Sequence, residues 1–357
     1  MLSISSLKSL SNKDVAEQAI KHGLNFAMFR LPGEEQCCMY VSERLLANEK
    51  ESGAKGFVIA PFRNDKRYII PAEYIRTWHT EGEMVGSKAE ADCPPMPEWY
   101  GEGVSEIVRR HKKRGGKTVF ACRRITDLCV QSVFDAFSKL VIAYPLAFVF
   151  CWKTAFDEEV WIGATPELLL ESDGVGVRTM SLAGTRRRMP EDTPWDEKNM
   201  KEQAMVSDFI ESVFHGFGVS CSRETPCILQ AGEIEHICTR FSARPGNKVA
   251  VSSLLKVLAP TPAVSGFPRE EALADIDDLE SFDRAYYSGY CGVQDSESVM
   301  RLFVTLRCMS LSPATGRCVL YAGGGITSQS VPEAEWREVN SKMNTLASVL
   351  QLSAESV

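Results

Sequence analysis

Apolar and polar positions along the chain alternate between two periods, and the changes of period delimit its elements. Residues 57–62 (Phe57-Val58-Ile59-Ala60-Pro61-Phe62) and 67–71 (Arg67-Tyr68-Ile69-Ile70-Pro71) are short β-rich runs around the polar turn Asn64-Asp65. Prolines crowd Asp92-Cys93-Pro94-Pro95-Met96-Pro97, which excludes a helix interior or central strand and predicts a linker or surface loop. A helix is expected from about Gly103 to Arg114, stopped by Gly115-Gly116. Strand-like runs follow at 118–123, 146–152, 160–163 and 302–309. Over 198–217 the apolar residues Met205, Phe209, Ile210, Val213 and Phe214 recur at helical spacing. Near the end, Arg317–Tyr321 reads as a strand running into Ala322-Gly323-Gly324-Gly325-Ile326. Ser330-Val331-Pro332-Glu333 then supplies a cap, a first-turn proline and an acidic residue, which predicts a helix start. No regular helix separates the strands, so a doubly wound parallel sheet is disfavoured and an α+β arrangement of antiparallel sheets is expected.

Composition narrows the function. The chain has 357 residues, 44% hydrophobic and 24% charged, which is ordinary for a globular protein. A net charge of −7 argues against a nucleic-acid partner, which would require a basic stripe. The basic clusters at 109–114 and 186–188 are the exceptions, and the first is expected to be a solvated face. No apolar run reaches the ~18 residues of a membrane span, and no signal peptide is evident at the N-terminus, which points to the cytoplasm. Twelve cysteines without a Cys-x-x-Cys pair suggest reduced thiols rather than a zinc site.

Two stretches carry candidate chemistry. Residues 163–188, GATPELLLESDGVGVRTMSLAGTRRR, place Glu167 after a Thr-Pro turn and end a strand in Leu182-Ala183-Gly184-Thr185. In the C-terminal helix Glu335, Glu338 and Lys342 fall at i, i+3 and i+7 on one face. Paired carboxylates on one face suit a hard cation, whereas a solvated Glu–Lys face is the commoner use of such spacing. The glycine run before the helix, able to offer backbone N–H groups to an anion, favours the first reading.

Several segments resemble the chorismate-utilising enzymes, which include anthranilate, aminodeoxychorismate, isochorismate and salicylate synthases. The stretch 163–188 is similar to their G-A-[ST]-P-E-x-L…L-A-G-T pattern, and AGGGITSQSVPEAEWREVNSK at 322–342 to their glycine run and E-W-x-E-x-x-x-K helix. Phe282-Asp283-Arg284-Ala285-Tyr286-Tyr287-Ser288-Gly289, the arginine-bearing strand Thr305-Leu306-Arg307-Cys308, and Lys198-Asn199-Met200-Lys201-Glu202-Gln203 add to the likeness in the family's order. The resemblance implies an α+β fold of the anthranilate/aminodeoxychorismate synthase type, with large mostly antiparallel sheets flanked by helices. Residues 1–100 would be its variable N-terminal part and 101–357 the chorismate-binding core. It also implies Mg²⁺ as cofactor, held by Glu202 and Glu338 with Glu335 close by, gripping the ring carboxylate. Arg307 and the amides of Gly323, Gly324 and Gly325, with Lys342 nearby, would hold the enolpyruvyl carboxylate. Gly184, Thr185, His236, Ala263 and Tyr287 would complete the substrate pocket; His236 is equally readable as a neutral core histidine.

Two positions separate the branches. Lys117, in Gly116-Lys117-Thr118-Val119-Phe120, matches the lysine that activates water in isochorismate and salicylate synthases. Water needs such a base within hydrogen-bond reach, although an exposed strand-start lysine is the commoner case. The gap-free register puts Cys122 at a family arginine; sliding by one would put Thr118 in the lysine's place. Ala263 and Val264, in Pro260-Thr261-Pro262-Ala263-Val264-Ser265-Gly266, resemble isochorismate synthases more than their ammonia-using or salicylate-forming relatives. The branch implied is isochorismate synthase, with Lys117 as base toward C2 and Glu167 as acid toward the C4 hydroxyl. Chorismate would be the substrate, no glutaminase partner is expected, and the chain would be a monomer or weak homo-oligomer. The open alternatives are a salicylate synthase, an ammonia-using synthase, or an inactive chorismate-binding protein. These residues do not separate menaquinone from siderophore biosynthesis.

Overall fold

The computed structural model describes residues 4–47, 53–63, 66–80, 82, 93–127, 132–190, 193–231, 234–246 and 249–352. The expected turn at Asn64-Asp65 lies outside them. In chain order the strands are β1 (Asn25–Arg30), β2 (Gln36–Ser42), β3 (Gly56–Ala60), β4 (Tyr68–Pro71), β5 (Tyr74–His79), β6 (Lys117–Asp127), β7 (Phe148–Lys153), β8 (Val160–Thr165), β9 (Leu168–Asp173), β10 (Val177–Arg187), β11 (Cys221–Arg223), β12 (Cys227–Ala231), β13 (Ile234–Ala243), β14 (Gly266–Phe267), β15 (Tyr290–Gln294), β16 (Val299–Val304), β17 (Cys308–Leu311) and β18 (Arg317–Ile326). The α-helices are α1 (Asn12–Lys21), α2 (Glu98–Arg114), α3 (Val133–Ala143), α4 (Glu197–Gly216), α5 (Val251–Leu258), α6 (Arg269–Leu279) and α7 (Pro332–Leu350).

The strands form two nine-stranded sheets, β14-β6-β18-β17-β8-β7-β1-β2-β5 and β11-β13-β10-β9-β16-β15-β3-β4, with β12 added beside β13. Every ladder between these strands is antiparallel, as the absence of βαβ spacing predicted. The central core lies between the sheets: Phe29, Phe148 and Trp152 of the first meet Phe57, Ile59 and Phe303 of the second. Phe148 stacks on Phe303 with ring centroids 4.3 Å apart. The outer face of the first sheet packs on α1, α2, α3 and α7, and that of the second on α4 and α5. The result is four layers, helix–sheet–sheet–helix. Residues 25–79 supply strands to both sheets, so much of the expected variable N-terminal part is woven into the core.

Three elements differ from expectation. Helix α2 begins at Glu98 rather than near 103, because Pro97 sits just outside as N-cap, where a proline does no harm. Helix α7 is capped by Val331 without a side-chain bond, and Ser330 Oγ instead accepts from the amide of Thr327 (3.1 Å). The run 302–309 is two strands: β16 belongs to the second sheet and β17 to the first. The chain crosses between them at Thr305-Leu306-Arg307, and Arg307 takes a φ of +46° to make the turn.

In the basic cluster at 109–114, Arg109, Lys112, Lys113 and Arg114 are exposed, as a solvated face would be, but Arg110 and Arg114 also reach into an ion-pair seam. Arg110 reaches Glu106, Asp278 and the 1%-exposed carboxylate of Asp275, and Arg114 also binds Asp275. His111 is buried, with Nε2 3.0 Å from Thr118 Oγ1. Asp275 also accepts from Thr118 Oγ1 at 2.8 Å, so α2, α6 and the start of β6 are tied at one carboxylate.

Candidate active site

A cavity opens where the ends of strands from both sheets approach α4 and α7. It encloses about 710 Å³ of empty space, its mouth included. Its walls carry Lys117, Glu167, Gly184, Thr185, Glu202, His236, Ala263, Tyr287, Arg307, Gly323, Gly325, Glu338 and Lys342. Residues up to 225 positions apart in sequence, Lys117 and Lys342, thus share one space. Of the residues singled out in the sequence, Gly324 and Glu335 do not line it.

The glycine run explains that exception. Gly323–Gly325 are not a loop: β18 continues through them to Ile326, paired with Val119–Ala121 of β6. Alternation along the strand therefore turns 323 and 325 to the cavity and 324 to the helical side. The glycines make space for side chains. A Cβ on Gly325 would lie 2.4 Å from Lys117 Cε and 2.8 Å from Glu202 Oε2, and one on Gly324 3.2 Å from Glu335 Oε2.

The same alternation decides the β6 register. Lys117 is 2% exposed and faces the cavity with Val119, whereas Thr118 turns away to His111 and Asp275. Lys117 Nζ stands 3.0 Å from Glu202 Oε2. Cys122 is buried in the apolar layer on the opposite face of the strand.

Glu167 follows β8 and is 3% exposed. Burial raises its carboxyl to about 8, more than the positive charges of Lys117, Arg307 and Lys342 can offset. Near neutral pH it is therefore mostly a carboxylic acid with a proton to give.

His236 links both sides of the cavity. Arg307 Nη2 donates to His236 Nε2 at 3.0 Å, and arginine can only donate. The ring proton therefore belongs on Nδ1, which lies 3.0 Å from the Gly184 carbonyl and 3.1 Å from Thr185 Oγ1. Burial, then the charges of Arg307 and Lys342, push the imidazole down to about 3 and keep it neutral. Arg307 Nη1 is buried without a hydrogen-bond partner, a donor at the cavity wall suited to an anion.

Glu202 on α4 and Glu335 and Glu338 on α7 face each other across the end of β18. Among the described residues no three acidic, histidine or cysteine side chains converge on one point. Lysines stand between them instead: Lys198 Nζ is 2.5 Å from Glu335 Oε1 and 3.7 Å from Glu202 Oε1, and Lys342 Nζ is 2.7 Å from Glu338 Oε1. Glu335 Oε2 is buried with no partner, and burial together with the Glu338 charge pushes its carboxyl up. An unsatisfied buried carboxylate oxygen beside a second carboxylate is a hard-donor setting that fits a divalent cation such as Mg²⁺.

Several contributors were not read from sequence. Lys198, i−4 from Glu202, had its signal in that spacing. Asn199 Oδ1 accepts from the Thr185 amide (3.0 Å), and Gln203 Oε1 from the Ala183 amide (3.0 Å). Together they brace the β-bulge at Gly184, whose φ of +72° only glycine adopts readily. Buried Arg284 pairs with Glu280 and donates to the carbonyls of Val264 (2.9 Å) and Val119 (2.6 Å), while Glu280 accepts from the Ala121 amide (2.7 Å). This pair fixes the Ala263–Val264 wall against β6.

A family model described as chorismate binding enzyme matches residues 82–351. The chain is 27% identical to isochorismate synthase EntC of Escherichia coli (strain K12) over 355 residues, covering 95% of this chain and 84% of the relative. A crystal structure described as a 2,3-dihydroxybenzoate-specific isochorismate synthase, DhbC of Bacillus anthracis, superposes with a TM-score of 0.75 at 23% identity, covering 94% of this chain and 99% of the other. Anthranilate synthase component I of Streptococcus pneumoniae TIGR4 shares the fold, with a TM-score of 0.68 at 16% identity over 91% of this chain and 90% of the other. The expected fold type is thus the observed one. Among the described residues no helix is long and apolar enough to cross a membrane.

Proposed function

Since the chain belongs to the chorismate binding enzymes, we propose that it is an isochorismate synthase, moving the ring hydroxyl of chorismate from C4 to C2 by addition of water and loss of the C4 hydroxyl. One observation carries this reading: a buried lysine, Lys117, and a buried glutamate that keeps its proton near neutral pH, Glu167, line the same cavity as the anion-binding groups. Lys117 takes the proton of the attacking water, and Glu167 protonates the hydroxyl as it leaves. To act as base, Lys117 must first leave its ion pair with Glu202 and give up a proton.

Chorismate is a dianion, and Arg307 and Lys342 supply positive charge for the enolpyruvyl carboxylate, with the partnerless Arg307 Nη1 as its first donor. Glu202 and Glu338, with Glu335 behind them, would hold Mg²⁺, which when bound would grip the ring carboxylate and withdraw electron density from the ring. Tyr287, stacked on Tyr321 with centroids 5.6 Å apart, and Ala263 shape the apolar wall. The small Ala263 side chain leaves room for water without offering a competing nucleophile. Neutral His236 holds Arg307 and Thr185 in place rather than exchanging protons.

The deciding experiment incubates the protein with chorismate and Mg²⁺, with and without ammonium, and resolves the products chromatographically. Isochorismate alone is the expected outcome. Salicylate with pyruvate, or an ammonium-dependent amino product, would move the chain to another branch. Chorismate binding without turnover would make it a binding protein.

A further inference from the structure

Outside the cavity, the second sheet carries a pair of thiols that the chemistry above does not use. Strands β12 and β13 form a hairpin in which Cys227 lies directly opposite Cys238. Directly paired residues of an antiparallel ladder have Cβ atoms ~4.5–5.5 Å apart and share one face of the sheet, close to the spacing a disulfide spans. The surroundings of the two thiols are unequal. Cys227 is exposed on the sheet edge, and Arg240 Nη1 donates to its sulfur at 3.4 Å. Cys238 is buried, its thiol pushed up to about 12 chiefly by burial. One sulfur is open to solvent beside a guanidinium and the other waits behind it, the arrangement of an attacking and a resolving thiol.

The hairpin also reaches the site. Cys238 is two residues from His236 on the same face of β13, and its cross-strand partner on β10 is Leu182, a cavity wall residue. We infer that Cys227 and Cys238 are an oxidative modification site, closed to a disulfide by a hydroperoxide such as hydrogen peroxide, and that this bond slows the enzyme by stiffening the wall that carries His236 and Leu182. The Cys227 sulfur attacks one peroxide oxygen and the O–O bond breaks. One water leaves, and Cys227 is left as a sulfenic acid. The Cys238 sulfur then displaces the sulfenic hydroxyl, which departs with the Cys238 proton as a second water. Two thiols lose two electrons and two protons, and the peroxide is reduced to two waters. A thiol reductant reverses the bond by exchange.

The effect on turnover rests on the isochorismate synthase reading; the cross-link does not. The full chain is treated with hydrogen peroxide, digested without reduction and mapped by mass spectrometry, and chorismate turnover is followed before treatment, after it, and after dithiothreitol. The expected result is a Cys227–Cys238 cross-linked peptide, a several-fold loss of turnover, and recovery of both on reduction. The C227S variant, altered only at an exposed edge thiol, should keep its activity under the same treatment, and C238A should accumulate oxidised Cys227 without a cross-link. Absence of the cross-linked peptide, or cross-linking of either cysteine to a different partner, overturns the proposal. So does a complete cross-link that leaves turnover unchanged. A protein that forms the cross-link on treatment but converts no chorismate even before it would instead overturn the functional reading while leaving the modification site standing.

Discussion

Replacing Glu167 by glutamine tests the acid through stability and catalysis together. Glutamine copies the shape and neutrality of the protonated carboxyl but has no proton to give. In the folded chain the carboxyl is pushed up to about 8, against 4.5 in the open chain. Below pH 4.5 both states hold the proton, and the residue's contribution to stability is fully present. Between 4.5 and 8 the unfolded chain releases the proton while the folded chain keeps it, so stability falls as pH rises. At about 1.4 kcal/mol per pH unit, the whole window amounts to at most on the order of 5 kcal/mol, and the interval from pH 6 to 8 to roughly 2 kcal/mol. Urea unfolding of wild type and Glu167→Gln across pH 5–9 should show the variant gaining on wild type as pH rises, by about that amount from pH 6 to 8. In the assay, isochorismate formation should fall by about 10²–10⁴-fold, the usual worth of a positioned acid. A stability difference that stays flat from pH 5 to 9 would refute the buried-acid argument. A variant retaining more than a tenth of wild-type turnover would refute its catalytic role.

Four further outcomes follow from the geometry. Lys117→Ala should lose isochorismate formation by about 10²-fold or more while still binding chorismate, as equilibrium binding against kcat would show; intact turnover would remove it as the base. Gly325→Ala should cost little in thermal stability, because the new methyl meets the flexible end of Lys117, yet displace both Lys117 and Glu202 and cut kcat at least tenfold. Arg284→Met leaves Glu280 as an uncompensated buried charge, so urea denaturation should register a loss of about 3–5 kcal/mol. His236→Asn should show the opposite pH sign to Glu167. The imidazole sits near 3 in the fold and 6.5 in the open chain, so its contribution is present above pH 6.5 and drains away as pH falls toward 3. Removing it should flatten that acid limb in thermal melts.

The parts legible in sequence were those set by local chemistry. Helix α4 was found within a residue at each end because its apolar face repeats every three to four positions. The antiparallel class followed from the lack of crossover helices. Glu167, Lys117 and the α7 carboxylates stood in recognisable local motifs. Arg307 was found, but in the wrong element: its neighbours read as one apolar strand, and nothing local records that β16 and β17 join different sheets. That Arg110 and Arg114 also bind a buried carboxylate could not be read locally, because Asp275 lies 161–165 positions away. Asn199 and Gln203 stood in a recognisable segment, but their role was not legible there, because the backbone they brace, at Ala183 and Thr185, is brought beside them only by the fold.

The amino-acid sequence by itself determined which residue types are available and the period at which each segment can bury its apolar side. Both depend on interactions within a few residues and are written locally. Which of two adjacent side chains faces the cavity, Lys117 or Thr118, and whether Gly324 points with its neighbours or against them, was decided only when strands β6 and β18 paired in one register. The proton on Glu167 and the neutrality of His236 were decided later still. Both arise from water being excluded by two sheets and two helices that no single segment can foresee.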